Sequence, residues 1–457
     1  MKTILTFDDF VLNRTDNTRR VFKQPDWKFE YAYTDPVCPA YTGPSCVVPA
    51  PQGGYMLLYH GIPRPDSEDR KCLMAWSPDG LQFEPYILHP DAQFPHMRGD
   101  MCDDIGMFVT LDADETDPSI RYKAPHTRFH IENGGLTESE PYLLGSADLV
   151  HWKRISDNPV VPSTVDCTPS FLRNPVTGKY QITTRRRWGE RRICLVESDD
   201  LQNWTIPRAI LHPSPDDEPL THLYSMPHYY YAPGDVFIGL LWKHVMPFDR
   251  ISEGPVHTEY AYSYDGIMWN RTRARLFPER SRGEYGGGCD YVFSMIDRGE
   301  DMVFYCNATL SEHHDHPKPP EGCGYQERSE NQIIPGVLKK NRFVCIESGK
   351  GQAELQTQWL RLKKPELYLN AIVPFGSLKA ELYNWNGPLE GFSFDDFQPI
   401  LGDHTDAPLR WKGDLSRLVE RGDWFILHIV FEQAEVYSIS GDFDFTINLR
   451  APAYERL

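Results

Sequence analysis

Val165-Asp166-Cys167-Thr168-Pro169-Ser170-Phe171-Leu172 opens the stretch that decides how this chain folds, with a short apolar run behind a polar entrance. Asn174-Pro175-Val176-Thr177-Gly178-Lys179 then reads as a turn and Tyr180-Gln181-Ile182-Thr183-Thr184 as a second strand. A third run, Arg192-Ile193-Cys194-Leu195-Val196-Glu197, leads into Ser198-Asp199-Asp200-Leu201-Gln202-Asn203-Trp204. Residues 165–204 therefore predict strand, turn, strand, turn, strand and a closing aromatic.

Its ending recurs. Ser77-Pro78-Asp79-Gly80 ends at Phe83, Ser146-Ala147-Asp148-Leu149 at Trp152, and Ser263-Tyr264-Asp265-Gly266 at Trp269, so four copies follow S-x-D-[GL]-x-x-[WF]. The copies start roughly 50 to 70 residues apart, room for one four-stranded sheet and its loops. Ser and Asp side chains hold tight turns by bonding local backbone, glycine supplies positive φ, and the aromatic packs between units. These residues are read as scaffold.

Upstream of each copy lies a pair of strands: 46–49 with 55–59, 105–111 with 120–123, 168–172 with 180–184, and 225–231 with 236–242. A fifth pair, 291–295 with 302–306, lacks the signature, and 342–347 is taken as its third strand. Radial repetition of such sheets leaves only short, protected edges, so the chain is predicted to be all-β with a five-bladed β-propeller over 41–355. A tandem of sandwiches is the alternative. Residues 1–40 are read as a lead-in segment packing on the propeller. From about Thr357 the runs 367–371, 378–382, 425–431 and 435–439 alternate as half-buried strands, which predicts a C-terminal β-sandwich over 356–457.

Aromatics make up 13% of the chain, with 38 prolines and 33 glycines, a composition of short strands and turns rather than long helices. A formal charge of −18 disfavours nucleic acid and anionic membrane as partners and suits a neutral ligand. No signal-length or membrane-spanning apolar run is present, and the expected location is cytoplasmic. Ten cysteines without metal-finger spacing predict buried thiols. No cofactor is expected and no metal set is assigned. His313, His314 and His316 are read as a solvated loop.

Aligning the strand entrances brings out one column. Asp104, Asp166 and Asp290 each stand before the first strand of their unit, where Tyr224 and Ser45 stand in two others. First strands of a propeller line its central channel, so three carboxylates would face one pocket. Crowded carboxylates repel, which raises at least one pKa and supplies the acid and base of glycosidic cleavage. Asp104 is preferred over its neighbour Asp103, and Glu218 is the nearest alternative acid. His60, Arg185, His222, Tyr224, Trp242 and His244 are the candidate sugar contacts, as hydroxyl partners and as aromatic faces.

With these residues in view, the chain resembles the five-bladed-propeller glycosidases, a group of fructosidases, levansucrases, arabinanases and xylosidases. More closely it resembles bacterial family 32-like glycosyl hydrolases. The carrying residues are 77–80, 174–180, Arg191-Arg192 before 198–204, Asp290, Gly391-Phe392-Ser393 through Gly402-Asp403, Trp411-Lys412-Gly413 and Tyr437-Ser438. The resemblance implies a channel-end site with a carboxylate nucleophile or base on an early blade, an Asp that stabilises the charged transition state and a Glu acid. The Trp-x-Asn-Asp-Pro-Asn, Arg-Asp-Pro and Glu-Cys motifs of the fructosidases are absent from this sequence. The expected activity is exo-acting hydrolysis of a neutral glycoside or furanoside, with Asp104 and Asp166 as base or nucleophile and stabilising carboxylate, and Asp290 or Glu218 as acid. The alternatives are a non-catalytic carbohydrate-binding propeller and a glycoside phosphorylase using Arg185 and His244.

Overall fold

The computed structural model describes residues 1–62, 71–93, 108–126, 129–132, 135–138, 141–161, 170–185, 191–248, 253–313 and 329–446. The chain is almost wholly β, and it divides into two compact units. The larger unit is 25–229 with 237–337; the smaller combines 1–24, 230–236 and 338–457.

Among the described residues the larger unit holds five antiparallel sheets of four or five strands, built in chain order, and a two-stranded hairpin of Phe129–Glu132 with Gly135–Glu138. The first runs Tyr41–Pro49, Tyr55–Ile62, Lys71–Ser77, Glu84–Pro85, and the second Thr110–Leu111, Tyr122–His126, Tyr142–Ser146, Trp152–Arg154. The third is Ser170–Arg173, Tyr180–Thr184, Ile193–Ser198, Arg208–Leu211. The fourth orders Thr221–Ser225, Val236–Val245, Val256–Ser263 and Asn270–Arg275, with His228–Tyr231 as an additional short strand. Its first strand thus lies at 221–225, not at the expected 225–231, because Pro227 has no amide to carry a ladder through that point.

Neighbouring sheets touch in a closed cycle. Tyr41–Pro49 meets Thr110–Leu111, which meets Ser170–Arg173; Ile193–Ser198 meets Thr221–Ser225; Val256–Ser263 meets Asp290–Asp297, which returns to Tyr41–Pro49. The cycle closes after five sheets, the plan of a propeller. Apolar clusters fill the junctions: Cys46, Val48, Leu58 and Met74 pack with Leu144, Leu149 and Trp152, while Leu143, Val160 and Val161 pack with Phe171, Ile182 and Val196.

The four signature copies are the turns between third and fourth strands. In each, the Ser Oγ accepts from the amide of the fourth residue at 2.9 Å, and that residue is left-handed: Gly80 (φ 76°), Leu149 (70°), Leu201 (65°), Gly266 (78°). Leucine tolerates this uncommon backbone in two copies because the Ser and Asp side chains hold the turn from both ends. The closing indoles of Trp152, Trp204 and Trp269 donate to the carbonyl of that same fourth residue at 3.0, 3.2 and 3.1 Å.

The fifth sheet explains its missing signature. Its strands are Asp290–Asp297, Asp301–Thr309 and Asn331–Lys339, and the fourth is Asp26–Trp27 from near the N-terminus. No tight turn is needed where the partner strand comes from the other end of the chain. The expected third strand at 342–347 is corrected: Val344–Ser348 pairs with Thr18–Phe22 and Glu435–Phe445 in the smaller unit.

That smaller unit contains a six-stranded and a five-stranded antiparallel sheet. Along Ile426–Glu432, Leu427, Ile429 and Phe431 are buried while His428 and Val430 are half-buried, the period-two alternation of a strand with one covered face. The seven described cysteines, Cys38, Cys46, Cys72, Cys194, Cys289, Cys306 and Cys345, are all buried thiols.

Trp27 is the apolar anchor of the closing strand: it is buried, lies 4.8 Å from the Phe277 ring and donates to Leu276 O at 3.2 Å. Trp27→Ala is expected to lower unfolding free energy by about 3–5 kcal/mol. A shift in urea midpoint checks it, and an unchanged midpoint would show that closure does not depend on this strand.

Candidate active site

One end of the third, fourth and fifth sheets gathers a cluster of cationic and aromatic side chains. Arg185 follows the strand Tyr180–Thr184 and Arg191 precedes Ile193–Ser198, so one hairpin delivers two guanidiniums to the same place. In the fourth sheet Thr221, Leu223 and Ser225 are buried, and the alternation turns His222 and Tyr224 to the opposite face. His222 stands directly across from His244 in the neighbouring strand, and Trp242 lies two residues earlier on it.

Tyr224 is the centre. Arg185 and Arg191 place their guanidinium carbons 4.2 and 5.1 Å from its ring centroid. The rings of His313, His244, Trp242 and Tyr291 lie 5.0, 5.9, 6.2 and 6.5 Å from it. Quadrupole attraction favours cations over a tyrosine face, and edge-to-face packing holds His313, His244 and Tyr291 in place while Trp242 is tilted by 32°.

The polar contacts lock the cluster. Arg191 Nη1 donates to His244 Nδ1 at 3.1 Å, and His244 Nε2 donates to Glu253 O at 3.0 Å, which fixes the imidazole tautomer. The Arg191 amide donates to His222 Nδ1 at 3.3 Å, and Tyr291 Oη bonds His313 Nδ1 at 3.1 Å. Burial, then the charge of Arg191, push His244 down to about 4, so the imidazole is neutral near pH 7. Burial drives the Tyr291 hydroxyl well above its ordinary range. Around Tyr224, then, charged donors lie beside the neutral His244, two further imidazoles and aromatic faces, groups suited to hydroxyls or to an oxyanion.

Of the expected sugar contacts, Arg185, His222, Tyr224, Trp242 and His244 are brought together here. Trp242 is 9% exposed and donates to Val292 O at 2.8 Å, so its ring is mostly core. His60 lies on the first sheet, 5.7 Å from the Tyr41 ring and close over Gly43, where a Cβ would stand 2.1 Å from its ring. Arg191, Tyr291 and His313 complete the cluster without having been singled out as site residues. Alternation next to Asp290 was the available signal for Tyr291, and the symmetry of Arg185 and Arg191 about one hairpin was the signal for Arg191.

The carboxylates are placed differently. Asp104 and Asp166 lie outside the described residues. Asp290 is fully buried as the first residue of its strand, and both its oxygens are engaged. Oδ2 accepts from Arg275 Nη2 at 2.7 Å and His257 Nδ1 at 2.9 Å, and Oδ1 accepts from the Thr258 amide at 2.8 Å. Those bonds tie the fourth sheet to the fifth and leave neither oxygen placed to donate a proton. Glu218 is exposed and bonded to Lys243, which holds its carboxyl below the usual range, the opposite of what a general acid needs. Among the described residues no three His, Cys, Asp or Glu side chains gather as a metal set.

No family model and no curated protein matches the chain. Among solved structures it is similar to a glycosyl hydrolase from Bacteroides ovatus, at 14% identity over 70% of this chain and 95% of that one, with a TM-score of 0.47. It is also similar to a Bombyx mori GH32 beta-fructofuranosidase, at 13% identity over 91% and 93%, with a TM-score of 0.45. An N-acetylgalactosamine deacetylase from F. plautii is similar at 15% identity over 72% and 97%, with a TM-score of 0.43. At these values the likeness assigns no chemistry.

In the same unit, His228 is a second neutral imidazole: it is buried, bonded through Nδ1 to Ser170 Oγ at 2.5 Å, and pushed down to about 3 by burial. Both His228 and His244 are thus held below the ordinary value near 6.5. Between the folded values and about 6.5 the unfolded chain binds protons that the folded chain refuses, so this stability is complete above pH 6.5 and lost as pH falls towards 3. His228→Gln is expected to flatten the dependence of the urea midpoint on pH between 6.5 and 4. A slope identical to wild type would remove His228 from the account.

Proposed function

We propose that this protein is a glycoside hydrolase, exo-acting on a neutral glycoside or furanoside, with its site at the Tyr224 cluster. The observation that carries the proposal is the convergence of Arg185, Arg191, His222 and His244 on one tyrosine beside Tyr291 and His313. A sugar ring needs fixed donors and acceptors for its hydroxyls and an aromatic surface for its C–H face, and this cluster offers both. In hydrolysis water adds its hydroxyl to the anomeric carbon while the leaving oxygen takes a proton. Asp104 and Asp166 are the proposed carboxylates for the first task and for stabilising the charged transition state. Asp290 and Glu218 are the donors named by sequence, but their engagement with Arg275 and Lys243 favours structural roles for both.

A second reading, phosphorolysis, is favoured by one observation: two guanidiniums and a neutral imidazole lie within one contact network, a setting in which inorganic phosphate could replace water as acceptor. In the third reading, a lectin-like propeller, the cluster binds sugar without turnover.

One experiment separates them. Purified protein is assayed on a panel of aryl-glycosides with and without inorganic phosphate, alongside Asp166→Asn. Hydrolysis predicts phosphate-independent release that falls roughly a hundred- to ten-thousand-fold in the folded variant. Strict dependence on phosphate selects phosphorolysis. Sugar binding by titration with no release on any substrate selects the lectin, and unchanged turnover in Asp166→Asn removes that residue from the chemistry.

A further inference from the structure

The smaller unit exposes one tryptophan almost fully, beside a second that is half-buried. Trp385 sits at the tip of the hairpin joining Ser377–Asn384 to Gly387–Pro388 and is 88% exposed. The turn is rigid: the Asn386 amide donates to Asn384 Oδ1 at 2.9 Å, and Gly387 takes φ 101°, a backbone open chiefly to glycine. The Trp385 ring lies 4.9 Å from that of Trp359, tilted by 36°. Trp359 comes just before Leu360, which exchanges both backbone bonds with Phe425 at 2.8 and 2.9 Å. That register sets Arg361 across from Trp424, with its guanidinium carbon 5.0 Å from the indole centroid. Alternation keeps Trp359 and Arg361 on one side while Leu360 turns into the core.

The result is a surface row in which the exposed Trp385 stacks beside the half-buried Trp359, two asparagine side chains flank the turn, and the half-buried Trp424 lies under the Arg361 guanidinium, itself held by Asp444 at 2.6 Å. Indoles held at a hairpin tip gain little from burial in their own fold, whereas they offer large, rigid apolar faces at small entropic cost to a ligand. A second copy of this chain is opposed by the formal charge of −18 on each molecule, as are nucleic acid and anionic membrane. A neutral, polyhydroxylated chain meets no such repulsion. Its C–H faces stack on indoles and its hydroxyls bond amide and guanidinium groups.

We propose that this row is a binding surface for a neutral polysaccharide, separate from the Tyr224 cluster and serving to hold polymer near the protein. The choice of ligand class follows the carbohydrate reading above, but the surface is tested by binding alone.

The test is retardation of the full chain in native gels cast with soluble neutral polysaccharides: a mannan, a xylan, an arabinan and a levan. Wild type is expected to be retarded by at least one, Trp385→Ala to lose at least ten-fold in apparent affinity, and Trp385→Phe to keep most of it. Release from small aryl-glycosides is expected to be the same in all three proteins. Retardation lost in Trp385→Ala on a protein that turns nothing over supports the surface and defeats the glycosidase reading. Equal retardation of wild type and Trp385→Ala, no retardation in any gel, or a Trp385-dependent dimer in sedimentation would each overturn the proposal.

Discussion

Closure of the ring of sheets is the constraint on which the larger unit depends. Each sheet covers part of the apolar surface of the next, so a ring with one sheet unfinished would leave a row of unpaired backbone groups beside a buried face. The chain meets this by drawing Asp26–Trp27 from near its N-terminus onto Asn331–Lys339. Trp27 then seals the contact through Phe277 and Leu276. The other four sheets are completed locally, by a Ser–Asp turn that carries the chain from third strand to fourth.

Those turns also join neighbours. Tyr305 Oη donates to Gly80 O at 2.7 Å, which links the fifth sheet to the first, and Asn174 Nδ2 donates to Asp265 O at 2.9 Å, which links the third to the fourth. Gln202 donates to Ile155 O at 2.8 Å and accepts from the Asp157 amide at 2.8 Å, across the second and third. Turn residues that look local in sequence therefore act between units. Asp290 belongs with them: it binds Arg275, His257 and Thr258 of the preceding sheet, and its position at a strand entrance has a packing explanation.

Against that frame of paired strands, the Tyr224 cluster assembles from strand ends that no turn motif marks. One face of Thr221–Ser225 and Val236–Val245 carries His222, Tyr224 and the buried Trp242 and His244, and the hairpin from the third sheet adds two arginines. Burial, then the charge of Arg191, depress His244, so that it accepts from Arg191 rather than repelling it. Aromatic packing and fixed hydrogen bonds preorganise the cluster, with Tyr291 and His313 packed edge-to-face against the Tyr224 ring.

Sequence by itself determined the all-β class, the four signature turns and most strand pairs, because the period of two, the turn residues and the closing aromatics are local properties of the chain. That Arg185 of the third sheet meets His222, Tyr224, Trp242 and His244 of the fourth was decided by the tertiary structure, because the two sheets share no ladder. Sequence alone misassigned 342–347 and missed Asp26–Trp27, because a strand that pairs across some three hundred residues has no local mark of its partner. Asp290 looked like its aligned neighbours in sequence, yet only the tertiary structure supplied Arg275 and His257. What an aspartate does depends on which charges fold against it, and those charges come from a different sheet.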